Sequence, residues 1–184
     1  MADAGRVIAG SARGIRLAAP GAGTRPLTDR VKQTLFAMLD PELPGAAVLD
    51  LFAGSGAVGL EAVSRGALEA VFVEGSRPAA AALVRNLRLA PARSTRVVTG
   101  AIPGVLERLL HAGERFDLIF ADPPYAWTAT AEFYVVMAGL AGPGCELAIE
   151  HSRRTPPPDV APGWVRRELR RYGETALSIY AAAP

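Results

Sequence analysis

Cysteine occurs once in these 184 residues and histidine twice. With Cys145 alone inside an apolar stretch, no disulfide framework can form, and the residue reads as core packing in a reducing compartment. His111 and His151 stand far apart, and no group of residues has metal-ligand spacing, so no metal is expected. Apolar runs stay well short of the ~18 residues a membrane span needs, and the N-terminus lacks an apolar signal core. A cytoplasmic protein without membrane partners is therefore expected. Repeats and low-complexity tracts are missing too, apart from Pro156-Pro157-Pro158, which reads as a stiff linker.

What is present suffices for a sizeable core, since half the residues are apolar. The length is that of one domain with a small appendage. Net charge is only +2, but it is unevenly placed. Arg6, Arg13, Arg16, Arg25, Arg30 and Lys32 crowd the first 32 residues against two carboxylates. Six arginines, starting with Arg153 and Arg154, crowd residues 151–172, again against two carboxylates. Basic ends around an acidic middle suit a polyanion held at the edges of a site. Solvated surface arginines are the plain alternative. Arginine far outnumbers lysine, as forked phosphate contacts would favour and as a GC-rich coding bias would also produce.

Patterning predicts strands over 46–52, 70–74, 95–99, 116–121 and 145–150, with helices over 57–66, 77–90, 103–112 and 129–141. Alternation of this kind means an α/β fold, a doubly wound and mostly parallel sheet. Two departures flank it. Residues 1–20 read as an N-terminal β-hairpin arm, with extended pieces at 6–9 and 13–18 around Gly10-Ser11, separate from a domain over 21–184. Such an arm is expected to bury little. At the other end, 164–171 and 175–182 flank Tyr172-Gly173-Glu174 as a closing hairpin. Between arm and sheet, Thr28 is expected to cap a helix whose apolar face is Val31, Leu35, Met38 and Leu39.

Two motifs carry chemistry. The strand Val48–Phe52 runs into Gly54-x-Gly56-x-x-Gly59, which opens a helix, and Glu74 ends the next apolar run. This is a nucleotide-binding strand–turn–helix with an acidic residue placed for ribose hydroxyls. Asp50, at the end of the first strand, suits a cationic amino-acid tail better than a pyrophosphate, which favours S-adenosylmethionine (SAM) over a dinucleotide. The second motif is Asp122-Pro123-Pro124-Tyr125, directly after an apolar strand. Two prolines hold their carbonyls as rigid acceptors, the aspartate adds a carboxylate, and the tyrosine adds a flat ring. A planar ring bearing an NH2 group fits such a site. A proline turn with Asp as a turn residue is the plain alternative. Beyond the carboxyl ends of neighbouring strands the two motifs would meet.

At this point the chain resembles a family. Asp50-Leu-Phe-Ala-Gly-Ser-Gly together with Asp122-Pro-Pro-Tyr is similar to SAM-dependent amino-methyltransferases. The stretch Arg25-Pro26-Leu27-Thr28-Asp29-Arg30-Val31-Lys32-Gln33-Thr34-Leu35-Phe36, with the opening from Arg6 to Leu17, narrows the resemblance to bacterial 16S ribosomal RNA guanine-N2 methyltransferases of the RsmD type. It runs from about residue 6 to 180. It implies a Rossmann-like class I SAM methyltransferase fold, SAM as cofactor, no metal, and an assembled 30S particle as partner, with a hairpin-loop guanine in its head as target. A monomer is expected.

By this resemblance, Asp50, Phe52, Gly54, Gly56 and Glu74 bind SAM, while Thr28, Arg30 and Phe36 help close its pocket. Ala101 and Ile102 would pass the adenine. A polar residue often stands at this point in the family, so here backbone groups must serve. Asp122, Pro123, Pro124 and Tyr125 are the expected catalytic residues. The lone pair of guanine N2 is delocalised into its ring, so acceptors gripping both amine hydrogens would turn it toward the methyl group. Good orientation is worth roughly 7–11 kcal/mol, and stacking on Tyr125 about 1–3 kcal/mol. The target must lie outside any duplex. Trp127 either lines the base pocket or packs in the core under the next helix. Arg6, Arg13, Arg16, Arg25, Arg153 and Arg154 are the candidates for RNA contact. A DNA adenine-N6 or cytosine-N4 methyltransferase would share Asp-Pro-Pro-Tyr but usually needs a separate recognition region, for which there is no room. An NAD-dependent dehydrogenase would share only the glycines. An RNA-binding module without activity would leave the paired motifs without purpose.

Overall fold

The computed structural model describes residues 3–19, 21, 28–39, 43–89, 94–124 and 126–183. Arg25 and Tyr125 lie outside the described residues. The main sheet begins with β3 (Ala47–Leu51), β4 (Glu69–Glu74), β5 (Thr95–Thr99) and β6 (Phe116–Ala121), preceded in the chain by β1 (Asp3–Arg6) and β2 (Arg16–Ala18). It continues through β7 (Ala141–Ser152), β8 (Val160–Ala161), β9 (Trp164–Tyr172) and β10 (Thr175–Ala182). Strand order is β5-β4-β3-β6-β7-β10-β9-β8. The first five are parallel, and β10, β9 and β8 close the sheet in antiparallel fashion. Central strands buried on both faces read as near-continuous apolar runs, which is why β3, β4 and β6 are legible in the sequence despite Asp50 and Asp117.

Helices cover both faces. α1 (Asp29–Leu39), α2 (Ala57–Ser64) and α3 (Arg77–Leu87) pack their apolar residues with Val48, Phe72 and Phe120 on one side. α4 (Gly104–His111) and α5 (Ala131–Leu140) pack with Leu49, Val71 and Ile119 on the other. The caps follow the sequence: Thr28 Oγ1 accepts from Val31 N–H at 3.4 Å, and Thr130 Oγ1 accepts from Phe133 N–H at 3.3 Å. Connections leave β3 toward β5 on one side and return to β6 on the other, so the strand order reverses between β3 and β6.

The structure departs from expectation in three places. β7 starts four residues earlier than 145 and is long, because β10 and β6 both pair with it. β8 adds a short unanticipated strand just after the three prolines, which themselves have no regular structure, as expected of a linker. The arm differs most. Its strands are Asp3–Arg6 and Arg16–Ala18, and it buries Ala4, Val7, Ala12 and Leu17 in the same core as α1 and α2. Glu61, fully buried on α2, accepts from Ile8 N–H at 2.6 Å and Ala9 N–H at 3.0 Å. Ser64 accepts from Ser11 N–H through its carbonyl and from Ala12 N–H through its hydroxyl. The backbones approach so closely that a Cβ on Gly10 would fall 1.8 Å from the Ser64 carbonyl oxygen. Far from burying little, the arm is a wall of the domain.

Candidate active site

β3 and β6 are neighbours, with Leu51 opposite Ala121, so the glycine turn after β3 and the Asp122 segment after β6 leave the sheet side by side. Asp122 N–H donates to the Leu51 carbonyl at 3.4 Å, which carries the pairing one step past the strand ends. Half-buried Asp122 and Pro123 and exposed Pro124 follow. The Pro124 carbonyl accepts from Trp127 N–H at 2.8 Å.

The glycine turn is built from backbone conformations that side chains resist. Gly54 and Gly56 have φ of 54° and 78°. A Cβ on Gly54 would meet only the Phe52 carbonyl at 3.8 Å, so its outer side is open to a ligand. Gly59 serves packing instead, since a Cβ there would sit 2.3 Å from the ring of Phe72. Glu74 reaches back from the tip of β4 and accepts from Gly54 N–H at 2.8 Å and from Ser76 N–H at 2.7 Å. Each carboxylate oxygen keeps a further lone pair for a hydroxyl.

Asp50 is placed otherwise than expected. It is 2 % exposed, and its carboxylate accepts from Gly59 N–H at 2.9 Å. It braces the start of α2 from inside. Burial pushes it up to about 8, the Gly59 N–H opposes this, and the charges of Asp122 and Glu74 add to the rise. Burial likewise pushes Asp122 up to about 6. Three carboxyl groups thus share one region, and because Asp50 keeps its proton at neutral pH, any attraction for a cationic ligand comes from Asp122 and Glu74.

Phe36 also departs from its expected role. It is fully buried in the core of α1 with the Arg65 guanidinium 4.9 Å above its ring, so it cannot line a pocket. Thr28 and Arg30 stand at the start of α1, Thr28 as its cap, and both are exposed. At the tip of β5, Gly100 N–H donates to the Glu74 carbonyl at 3.2 Å, bringing Ala101 and Ile102 beside the acidic tip of β4. Ala101 is exposed and Ile102 half-buried, and the Ala101 carbonyl accepts from Val105 N–H at 3.2 Å. Phe52 and Trp127 meet edge to face, with ring centroids 5.3 Å apart.

Among the candidate RNA contacts, Arg6 and Arg13 are exposed on the arm, as is Arg16 in β2, and Arg6 pairs with Asp29 at 3.3 Å. Arg153 and Arg154 leave the carboxyl end of β7, the same end of the sheet as the site. Both pair with Glu174 in the hairpin turn, at 3.8 and 3.2 Å.

Sequence reasoning overlooked Asn86 and Glu61. Asn86, fully buried on α3, donates to the Ser55 carbonyl at 2.9 Å and exchanges hydrogen bonds with Ala18 N–H and C=O. It therefore ties the glycine turn to the arm. A signal existed in each case: Asn86 lies one turn beyond Leu83 on an apolar helix face, and Glu61 is the sole charge in Ala57–Ser64.

The family model for conserved hypothetical protein 95 matches residues 5–181. Ribosomal RNA small subunit methyltransferase D of Escherichia coli strain K12 is 34% identical over 178 residues, which are 95% of this chain and 88% of that one. The protein of the same name from Haemophilus influenzae is 38% identical over 123 residues, covering 65% of this chain and 63% of that one. The solved structure of a hypothetical protein from Thermus thermophilus superposes with a TM-score of 0.82 at 37% identity, covering 95% of this chain and 97% of that one.

Proposed function

The chain belongs to the conserved hypothetical protein 95 family, that of ribosomal RNA small subunit methyltransferase D, and from that premise we propose that it methylates ribosomal RNA using SAM. The acceptor is the exocyclic N2 amine of a guanine in a 16S rRNA loop, presented on the assembled 30S particle. One observation carries this reading: the pairing of β3 with β6 sets an open glycine turn directly beside the Asp122–Pro123 acceptors.

The residues present fit SAM. Gly54 leaves room for close approach, Glu74 holds spare acceptor capacity for ribose hydroxyls, and the carboxylates of Glu74 and Asp122 favour a positively charged sulfur. SAM, when bound, supplies a methyl group already activated by that charge. The protein's part is positioning. The Asp122 carboxylate and the Pro123 carbonyl accept the two amine hydrogens and so aim the nitrogen lone pair. Asp122 then takes the proton released after transfer, a task suited to a group near 6. Pro124 contributes rigidity, because its carbonyl is engaged by Trp127. Tyr125 stacks on the base. Arg6, Arg13, Arg16, Arg25, Arg153 and Arg154 hold phosphates around the site, which makes the arm over residues 1–20 an RNA-binding surface built into the same domain as residues 21–184.

The decisive experiment maps N2-methylguanine in small-subunit rRNA from a strain lacking this gene. We expect one such modification to vanish, to return with the intact gene, and to stay absent with Asp122→Ala. An unchanged methylation map in the deletion strain would contradict the proposal.

A further inference from the structure

Phe52 is the one non-glycine among the described residues with a left-handed backbone, at φ 57°. It stands at the tip of β3, two residues before Gly54. Phenylalanine resists this conformation, so the surrounding structure must hold it. Its ring is contacted by Trp127, two residues beyond the Asp122–Tyr125 motif. The Trp127 indole meets the Phe52 ring edge to face at 5.3 Å and 66°, and meets Phe133 of α5 at 4.9 Å and 81°. Its backbone N–H donates to the Pro124 carbonyl at 2.8 Å. One half-buried residue therefore touches the acceptor segment through its backbone and the cofactor turn and α5 through its ring.

We propose that Trp127 is a positioning residue, which acts through Phe52 to fix the Asp122–Pro124 segment against the glycine turn. The inference rests on the methyltransferase reading above and deepens it. Aiming a lone pair at a methyl group tolerates little error, and a displacement of about 1 Å can cost a hundredfold in rate. Trp127 links the two halves whose separation sets that distance. Its loss should leave each half able to bind its own ligand while misplacing one against the other.

The test combines three measurements on the full-length protein. Calorimetry first establishes SAM binding by wild type. Indole emission is then titrated with SAM in wild type and in Trp127→Phe. Trp164 is fully buried with its N–H on the Tyr134 carbonyl, so we expect an emission change in wild type that Trp127→Phe lacks. Methyl transfer to 30S particles from the deletion strain is measured last. Trp127→Ala should lower kcat by about ten- to a hundredfold with KM for SAM within about twofold, and Trp127→Phe should recover most of the rate. Phe52→Leu should reproduce the kcat loss, and the double variant should lose little more than the worse single one. The emission titration and Phe52→Leu decide the matter if Trp127→Ala does not fold. Saturation with SAM without any emission change, or kcat within about twofold in both Trp127→Ala and Phe52→Leu, overturns the inference. Absence of SAM binding by wild type overturns the methyltransferase reading itself, and this inference with it.

Discussion

Asp122 and Asp50 are both carboxylates shifted upward by burial, yet they do different work. In the proposed mechanism Asp122 can take the released proton only when ionised, so kcat should rise with pH through about 6 and then level off. Asp122→Asn keeps the shape but loses the charge and the proton site; kcat should fall about a hundredfold or more, with SAM affinity nearly unchanged. Single-turnover rates against pH check both statements, and a flat wild-type profile across that range would contradict the first. Asp50 instead writes its titration into stability. Folded, it keeps its proton up to about 8, whereas in the unfolded chain it ionises near its ordinary ~3.9. The folded state therefore binds more protons in between, and the stability contribution present below about pH 4 is lost as pH rises toward about 8. The melting temperature of the ligand-free protein should decline across that window. Asp50→Asn can still accept from Gly59 N–H, and its decline should be shallower.

At the scale of elements, the arm is where expectation and structure part most. A two-stranded ribbon is marginal alone, but this one is fastened by buried partners on α1, α2 and α3. Lys32 of α1, fully buried, donates to the Arg6 carbonyl at 2.5 Å and lies 3.5 Å from Asp29. Desolvation lowers its pKa, while Asp29 and Glu61 work against that shift. Removing residues 1–20 should therefore unfold the domain, where a loosely attached arm would have been dispensable. Glu61→Ala should orphan the Ile8 and Ala9 N–H groups at about 1–3 kcal/mol each, and Leu17→Ala should cost about 2–5 kcal/mol. Denaturant titrations of both variants check this; stabilities equal to wild type would mean the docking contributes nothing.

For the whole molecule, charge and topology act together. The acidic site sits at the carboxyl ends of β3, β4 and β6, and the Arg153–Glu174–Arg154 corner stands at the same end of the sheet. On the proposed reading, a negatively charged substrate is repelled from the centre and gripped at the flank, which would admit a single extruded base while the backbone stays outside. Arg153→Ala with Arg154→Ala should weaken 30S binding and flatten its dependence on salt by about 0.7–0.9 in slope for each phosphate no longer neutralised. Affinity measured across a salt series decides this, and an unchanged slope would reduce these arginines to ordinary surface. No helix among the described residues is long and apolar enough to cross a membrane.

What the sequence determined by itself is whatever depends on short-range periodicity and backbone permissiveness. Near-continuous apolar runs mark the buried parallel strands, Thr28 marks a helix start, and Gly54 and Gly56 mark a turn few other residues could form. The adjacency of that turn and Asp122 is legible as well, because a doubly wound sheet leaves few other strand orders. Only the tertiary structure decided which polar groups turn inward. Asp50 has the sequence position of a ligand contact and is a brace for Gly59. Phe36 has that of a pocket wall and is core beneath Arg65. Glu61 and Asn86 stand out little in the sequence, yet they fasten the arm. The physical reason is common to all four. A buried polar or aromatic group takes its role from partners that packing brings from distant segments, such as the 52 or 53 positions between Glu61 and the arm, and local pattern carries no record of that pairing.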